Sequence, residues 1–236
     1  MKILEVKKAD FFILDDGTSI KTLEPLVAFL HQHHRKTCVL SLREISKKMS
    51  ESLKRLIDFD NVFFIGLGQG GATTLNYMID NLDSNISSKN IRWSRQWIDY
   101  NNFYFIKEDL DKSFYCGKNV ILVEDVVASG KTVQVASDDL KKAGANVIGV
   151  VSALINEKSP ALDSGFIDFA LYGVHTHSLL QKSNLLEAYW FPPIFSIRHL
   201  LYGQQEDPFF YQTVSEKYSL PMNQLRNVID KVVPKF

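Results

Sequence analysis

Apolar residues recur at helical spacing over residues 41–57, where Ile45, Met49, Leu53 and Leu56 follow one another at intervals of three and four. Ser41 stands three positions before Glu44, a capping-box pattern that predicts the start of this helix. The run NVFFIGL at 61–67 is short and apolar, as in a buried strand, and Gly68-Gln69-Gly70-Gly71 follows it directly. A helical stretch is expected at 72–81. Strand, glycine turn and helix in that order form an α/β unit.

The same alternation returns further along. Residues 119–123 read as a strand, and 132–143 as a helix with Val133, Ala136 and Leu140 as its apolar stripe. Gly144 is placed to end that helix, and 147–154 is a third apolar strand. A strand, a helix and a strand over about 35 residues make a right-handed crossover, which implies a parallel sheet. Between the two units, residues 85–107 are polar and aromatic, with a strand expected only at 91–93.

The ends of the chain are less regular. Residues 11–14 suggest a strand closed by Asp15-Asp16-Gly17, and 22–33 a helix with Leu23, Leu26, Val27 and Leu30 on one face. A further strand is expected at 166–174. Pro192-Pro193 forbids a continuous helix over 185–202, and 212–233 suggests one or two short helices broken near Pro221. The expected organisation is an N-terminal segment at 1–40, an α/β core at 41–174 and a C-terminal appendage at 175–236.

Composition narrows the function classes. With 236 residues, 45% hydrophobic and 23% charged, the chain has enough apolar material for an ordinary globular core. Lys plus Arg and Asp plus Glu both number 27, so no overall charge draws the protein to nucleic acid or to a membrane. Cys38 and Cys116 have neither zinc nor disulfide spacing, so free thiols are expected. Acidic residues come too early for a signal peptide, and no apolar run approaches the ~18 residues of a membrane span. The expected compartment is the cytoplasm.

The segment 120–132, VILVEDVVASGKT, carries the chemistry. A buried strand leads into Glu124 and Asp125, and a Ser-Gly-Lys-Thr turn then opens a helix. Backbone N–H groups, the Ser129 and Thr132 hydroxyls and the positive end of the helix dipole suit a phosphate monoester. Carboxylates just upstream suit sugar hydroxyls. Ribose 5-phosphate satisfies both ends. A nucleoside-triphosphate loop ending in Gly130-Lys131-Thr132 is the competing pattern, but it needs glycine where this chain has Asp125. Neither a complete loop of that kind nor a nucleophile elbow is present.

That segment resembles the phosphoribosyl-diphosphate signature of type I phosphoribosyltransferases. Gly117-Lys118-Asn119 before the strand is similar to the purine members, and Gly68-Gln69-Gly70-Gly71 stands where the family has its diphosphate loop. The family order is followed from about residue 40 to 154. The resemblance implies a parallel sheet flanked by helices with a small C-terminal hood. It implies Glu124 and Asp125 at the catalytic centre, on the ribose hydroxyls and on Mg²⁺, and Ala128, Ser129, Gly130, Lys131 and Thr132 around the 5-phosphate. Gln69, Gly70, Gly71 and Arg95 would meet diphosphate, the last from a mobile loop at 94–107 that also holds Lys107, with Arg92 just before it. The implied reaction, within nucleotide salvage, moves ribose 5-phosphate from phosphoribosyl diphosphate to a nucleobase or similar small acceptor. A homodimer is the family expectation.

Two positions depart from the pattern. Gln69 stands where many members carry Lys or Arg, and Ala128 stands where 6-oxopurine enzymes carry an acid. They motivate an alternative, a non-catalytic sensor of phosphoribosyl diphosphate or a nucleotide. For the base, Lys158, Tyr172 and Trp190 are candidates, Trp190 by stacking. His175 and His177 share a strand face by alternation but have no evident third metal ligand.

Overall fold

The computed structural model describes residues 7–17, 23–82, 86–97, 103–127, 130–156, 169–178, 194–196, 212, 215–216 and 218–232. In chain order, strands β1 (Lys7–Ala9) and β2 (Phe11–Asp15) precede helix α1 (Glu24–Gln32), and β3 (Thr37–Ser41) follows it. Next come α2 (Leu42–Leu53), β4 (Val62–Leu67), α3 (Gly68–Ile79) and β5 (Ser87–Ile91). A hairpin of β6 (Trp93–Trp97) and β7 (Phe103–Lys107) precedes the short α4 (Lys112–Tyr115). The chain continues through β8 (Asn119–Val127), α5 (Lys131–Lys142), β9 (Asn146–Asn156), β10 (Phe169–Ser178), β11 (Ile194–Ser196) and α6 (Met222–Val232).

Among the described residues, six strands form one parallel sheet in the order β1-β10-β9-β8-β4-β5. The chain passes from β4 outward to β5, then returns to β8 on the other side of β4. That reversal makes the gap between β4 and β8 a topological switch point, where the carboxyl ends of the strands open a crevice. Each face of the sheet is covered. Val133, Ala136 and Leu140 of α5 pack with Ile65, Leu122 and Val150 on one side. Leu42, Ile45 and Met49 of α2, with Leu75 and Met78 of α3, cover Phe64, Ile121 and Val151 on the other.

A second parallel sheet, β11-β2-β3, joins the two ends of the chain. Its central strand β2 is buried over Phe11, Phe12, Ile13 and Leu14. Helices α1 and α6 close one face through Leu26, Phe29, Leu225, Ile229 and Val232.

Several expected elements form for the reasons their residues suggest. The Ser41 hydroxyl accepts from the Glu44 N–H at 3.3 Å and caps α2. Gly144 adopts φ +88° just past α5, and its N–H returns to the Lys141 carbonyl at 2.9 Å. Helix α6 begins just after Pro221.

The strand expected at 91–93 does not form as one element, since β5 ends at Ile91 and β6 begins at Trp93, and three further differences bear on the crevice. Helix α3 starts at Gly68, not 72, because Gly68 takes φ +57° and turns the chain straight from strand into helix. Strand β8 runs on to Val127, since Val126 and Val127 keep pairing with Leu154 and Ile155 of β9. The expected loop at 94–107 contains a paired hairpin, with Trp93 opposite Lys107 and Arg95 opposite Phe105.

Because α6 supplies core side chains to the small sheet, its apolar face should be integral to stability. Ile229, 1% exposed, should cost about 2–5 kcal/mol when replaced by alanine. Urea unfolding of the Ile229→Ala protein measures this, and a change below 0.5 kcal/mol, roughly the scale of surface substitutions, contradicts the assignment.

Candidate functional site

Parallel pairing of β4 and β8 sets Gly66 opposite Val123, so the residues that follow each strand emerge side by side. From β4 the chain enters α3 through Gly68-Gln69-Gly70-Gly71. From β8 it continues through Glu124 and Asp125 toward Gly130 and α5. Both helices begin without a side-chain cap. Their N-termini carry partial positive charge and backbone donors beyond the carboxyl edge of the sheet. An anion there meets two helix ends, with two carboxylates between them.

The glycines have distinct tasks. A Cβ on Gly71 would lie 2.2 Å from the Val123 carbonyl oxygen, so only glycine lets the first turn of α3 rest on β8. A Cβ on Gly68 would lie 2.5 Å from the Trp93 carbonyl oxygen, so the same turn also abuts the hairpin. Gly70 and Gly71 are buried, while Gln69 is exposed at the turn. Thr73 and Thr74 donate their hydroxyls back to the Gln69 and Gly70 carbonyls, both at 2.9 Å, which occupies those side chains within the helix. Gly130 takes φ +77° and is buried where α5 begins.

Asp125 is 4% exposed, and its Oδ1 accepts from the Val126 N–H at 2.8 Å. Glu124 is half-buried and lies opposite Ser152 of β9. Adjacent residues of a strand leave toward opposite faces, so the two carboxylates bracket the end of β8 rather than stacking on one side. Sequence reading overlooked Ser152, whose buried hydroxyl donates to the Leu154 carbonyl at 2.7 Å and reaches the Asp125 carbonyl at 3.4 Å. Its signal was a single hydroxyl within the apolar run of β9.

The other expected residues divide. Gly130, Lys131 and Thr132 open α5 beside the acids, and Arg95 lies on β6. Ala128, Ser129, Lys158 and Trp190 lie outside the described residues. So do the side chains of Tyr172, His175 and His177, although their backbone is in β10. Lys107 is drawn away from the crevice into an ion pair with Asp139 of α5. Lys118, in the Gly117-Lys118-Asn119 stretch, stacks 3.6 Å from the centre of the Phe114 ring at the opposite end of β8. Six residues separate it from Glu124, about 20 Å along a strand, so it acts in packing and not at the crevice.

Among the described residues no group of three or more His, Cys, Asp and Glu could hold a metal ion. By donor type the Glu124 and Asp125 carboxylates fit Mg²⁺, which is commonly bound through one or two carboxylates together with substrate phosphates and waters. Among the described residues no helix is long and apolar enough to cross a membrane.

Beside the crevice, burial alone would raise the Glu108 carboxyl, but a hydrogen bond from Lys89 and one from the Arg92 N–H hold it below its ordinary value. Burial likewise opposes ionisation of Asp139, and hydrogen bonds from Lys107 and Lys142 outweigh it and lower that carboxyl too.

The sequence model of the family described as "Phosphoribosyl transferase domain" matches residues 33–169, more than half of the chain. The human "Phosphoribosyltransferase domain-containing protein 1" is 24% identical over 124 residues, which cover 48% of this chain and 55% of that protein. The chain thus spans about half the length of this curated relative. A purine phosphoribosyltransferase from Pyrococcus horikoshii is 19% identical, over 61% of this chain and 91% of the other, with a TM-score of 0.42. The APRTase from Giardia lamblia complexed with 9-deazaadenine is 16% identical, over 58% and 80%, with a TM-score of 0.46.

Two expectations follow. In Gly71→Ala the added methyl must push α3 off β8, at a cost of about 1–3 kcal/mol, and the first turn of α3 should lose its seat. Denaturant unfolding measures the cost, and an unchanged midpoint contradicts the contact. The second concerns acid. Carboxyls lowered in the folded state stabilise it above the unfolded pKa of about 4, and that stability is lost as pH falls through their folded values. Each partly exposed pair is worth at most about 1 kcal/mol. The difference in stability between wild type and Asp139→Asn, measured at pH 7 and at pH 3, should therefore shrink at the lower pH. A difference that grows contradicts the sign.

Proposed function

Since this chain belongs to the phosphoribosyl transferase domain family, we propose that its switch-point crevice binds phosphoribosyl diphosphate and transfers ribose 5-phosphate to a nucleobase or similar small acceptor. What supports this reading is that two helices without side-chain caps, α3 and α5, follow the adjacent strands β4 and β8, and that Glu124 and Asp125 lie on β8. One helix end, α5 with Gly130, Lys131 and Thr132, takes the 5-phosphate, together with Ala128 and Ser129. The other, α3 with Gln69, Gly70 and Gly71, takes diphosphate, and Arg95 approaches from β6. Glu124 and Asp125 hold the ribose hydroxyls between them.

The reaction is displacement at the anomeric carbon. A nitrogen of the acceptor forms the new bond and gives up its proton as the bond to diphosphate breaks, the electron pair of that bond leaves on diphosphate, and positive charge develops on the sugar ring in passing. The chain contributes orientation of both reactants and fixed dipoles toward the departing anion. Glu124 and Asp125 would hold Mg²⁺, which would supply neutralisation of charge on the leaving group. Lys158 and Trp190 are the proposed contacts to the base.

One observation favours a second reading. The first turn of α3 presents the neutral, exposed Gln69 and no basic side chain, so this helix offers diphosphate its backbone dipoles and no cation of its own. A protein that binds phosphoribosyl diphosphate or a nucleotide without turning it over would tolerate that arrangement.

Diphosphate release from phosphoribosyl diphosphate, measured with Mg²⁺ and a panel of nucleobases, decides between them. Turnover with one base, reduced by about 10²-fold or more in Asp125→Asn, is the expected result. Binding without turnover selects the sensor. Absence of both turnover and binding overturns the phosphoribosyl reading.

A further inference from the structure

The hairpin beside the crevice is fastened on both flanks by adjacent residues. Lys107, the last residue of β7, forms an ion pair with Asp139 of α5, and its Nζ lies 5.5 Å from the centre of the Trp93 ring. Glu108, the next residue, reaches the other way. Its Oε1 meets Lys89 of β5 at 2.9 Å, and its Oε2 accepts from the Arg92 N–H at 3.0 Å. The Glu108 N–H also donates to the Arg92 carbonyl at 3.2 Å. Trp93 is 3% exposed and packs in the core beneath α5, with Phe105 against the same core. One end of the hairpin is therefore tied to the edge strand, to a helix and to the core.

The helix it is tied to is the one that opens at Gly130. Asp139 lies eight residues into α5, about 12 Å along the axis from its first residue. Arg95 sits two residues beyond Trp93, which pairs with Lys107. The Trp93 carbonyl also bounds Gly68, so this end of the hairpin touches the first turn of α3 as well.

We propose that Lys107 and Asp139 are positioning residues. Their ion pair clamps the stem of the β6–β7 hairpin onto α5 and so sets the place of the Arg95-bearing strand relative to both helix ends. The clamp itself is independent of the activity, whereas its effect on ligand rests on the phosphoribosyl reading above. Asp139 also meets Lys142 of its own helix at 3.3 Å, so a change at Lys107 isolates the contact with the hairpin.

The test uses the full chain as wild type, Asp139→Asn, Lys107→Gln and the charge-exchanged pair Lys107→Asp with Asp139→Lys. Backbone amide exchange of β6 and β7 should quicken about three- to tenfold in either single variant, while β4 and α2 keep their rates and the exchanged pair returns toward wild type. Unchanged exchange in both single variants overturns the clamp. Calorimetry with phosphoribosyl diphosphate and Mg²⁺ should show a similar fold-weakening in each single variant, with recovery in the exchanged pair. Faster exchange with unchanged affinity overturns the positioning role. If wild type binds no phosphoribosyl diphosphate, the phosphoribosyl reading fails and the positioning role falls with it, and the exchange rates alone decide the clamp.

Discussion

The carbonyl of Val123 leaves no room for a side chain on Gly71, and that contact sets how closely α3 approaches β8. With a larger residue the first turn of α3 would stand away from the sheet, and its N-terminal dipole would point past the acids. With glycine, the turn sits where β8 delivers Glu124 and Asp125. The parallel register of β4 and β8 and the φ +57° of Gly68 make the same contact possible from the strand side. A short helix entry, a tight packing point and a pair of carboxylates thus become one crevice.

Electrostatics inside the crevice follow from this geometry. Two helix N-termini favour negative charge at their ends, and the carboxylates between them disfavour it. A ligand with anionic groups at two ends and neutral hydroxyls in the middle matches the pattern, which a nucleoside triphosphate with one contiguous anionic chain does not. The hairpin adds a wall on the α5 side, held there by Lys107 and Asp139 and, on the β5 side, by Lys89 and Glu108.

Much of the core was legible because its elements bury one face. The three-and-four spacing of Ile45, Met49 and Leu53 placed α2, and the Ser41 cap marked its start. The order of strand, acids and glycine turn located the crevice. What escaped was set by contacts distant in sequence. Strand β3 is half-exposed along its length, and its apolar run, Cys38-Val39-Leu40, is only three residues long, too short to announce a strand. Strand β5 is polar and exposed from Ser87 to Asn90 because it lies at the edge of the sheet. The early start of α3 depended on a positive φ at Gly68, and a glycine run alone does not distinguish a helix start from a loop. Asp139 carried no local sign of its role, since Lys107 lies 32 residues away.

The central claim is that the crevice at β4 and β8 holds a phosphorylated ribose. Amide chemical-shift mapping with phosphoribosyl diphosphate and Mg²⁺ tests it most directly. The account predicts shifts concentrated at Gly68 to Gly71, Glu124 to Asp125 and Gly130 to Thr132, with α6 and the small sheet unmoved. Shifts confined to the small sheet, or none at saturating ligand, would contradict it.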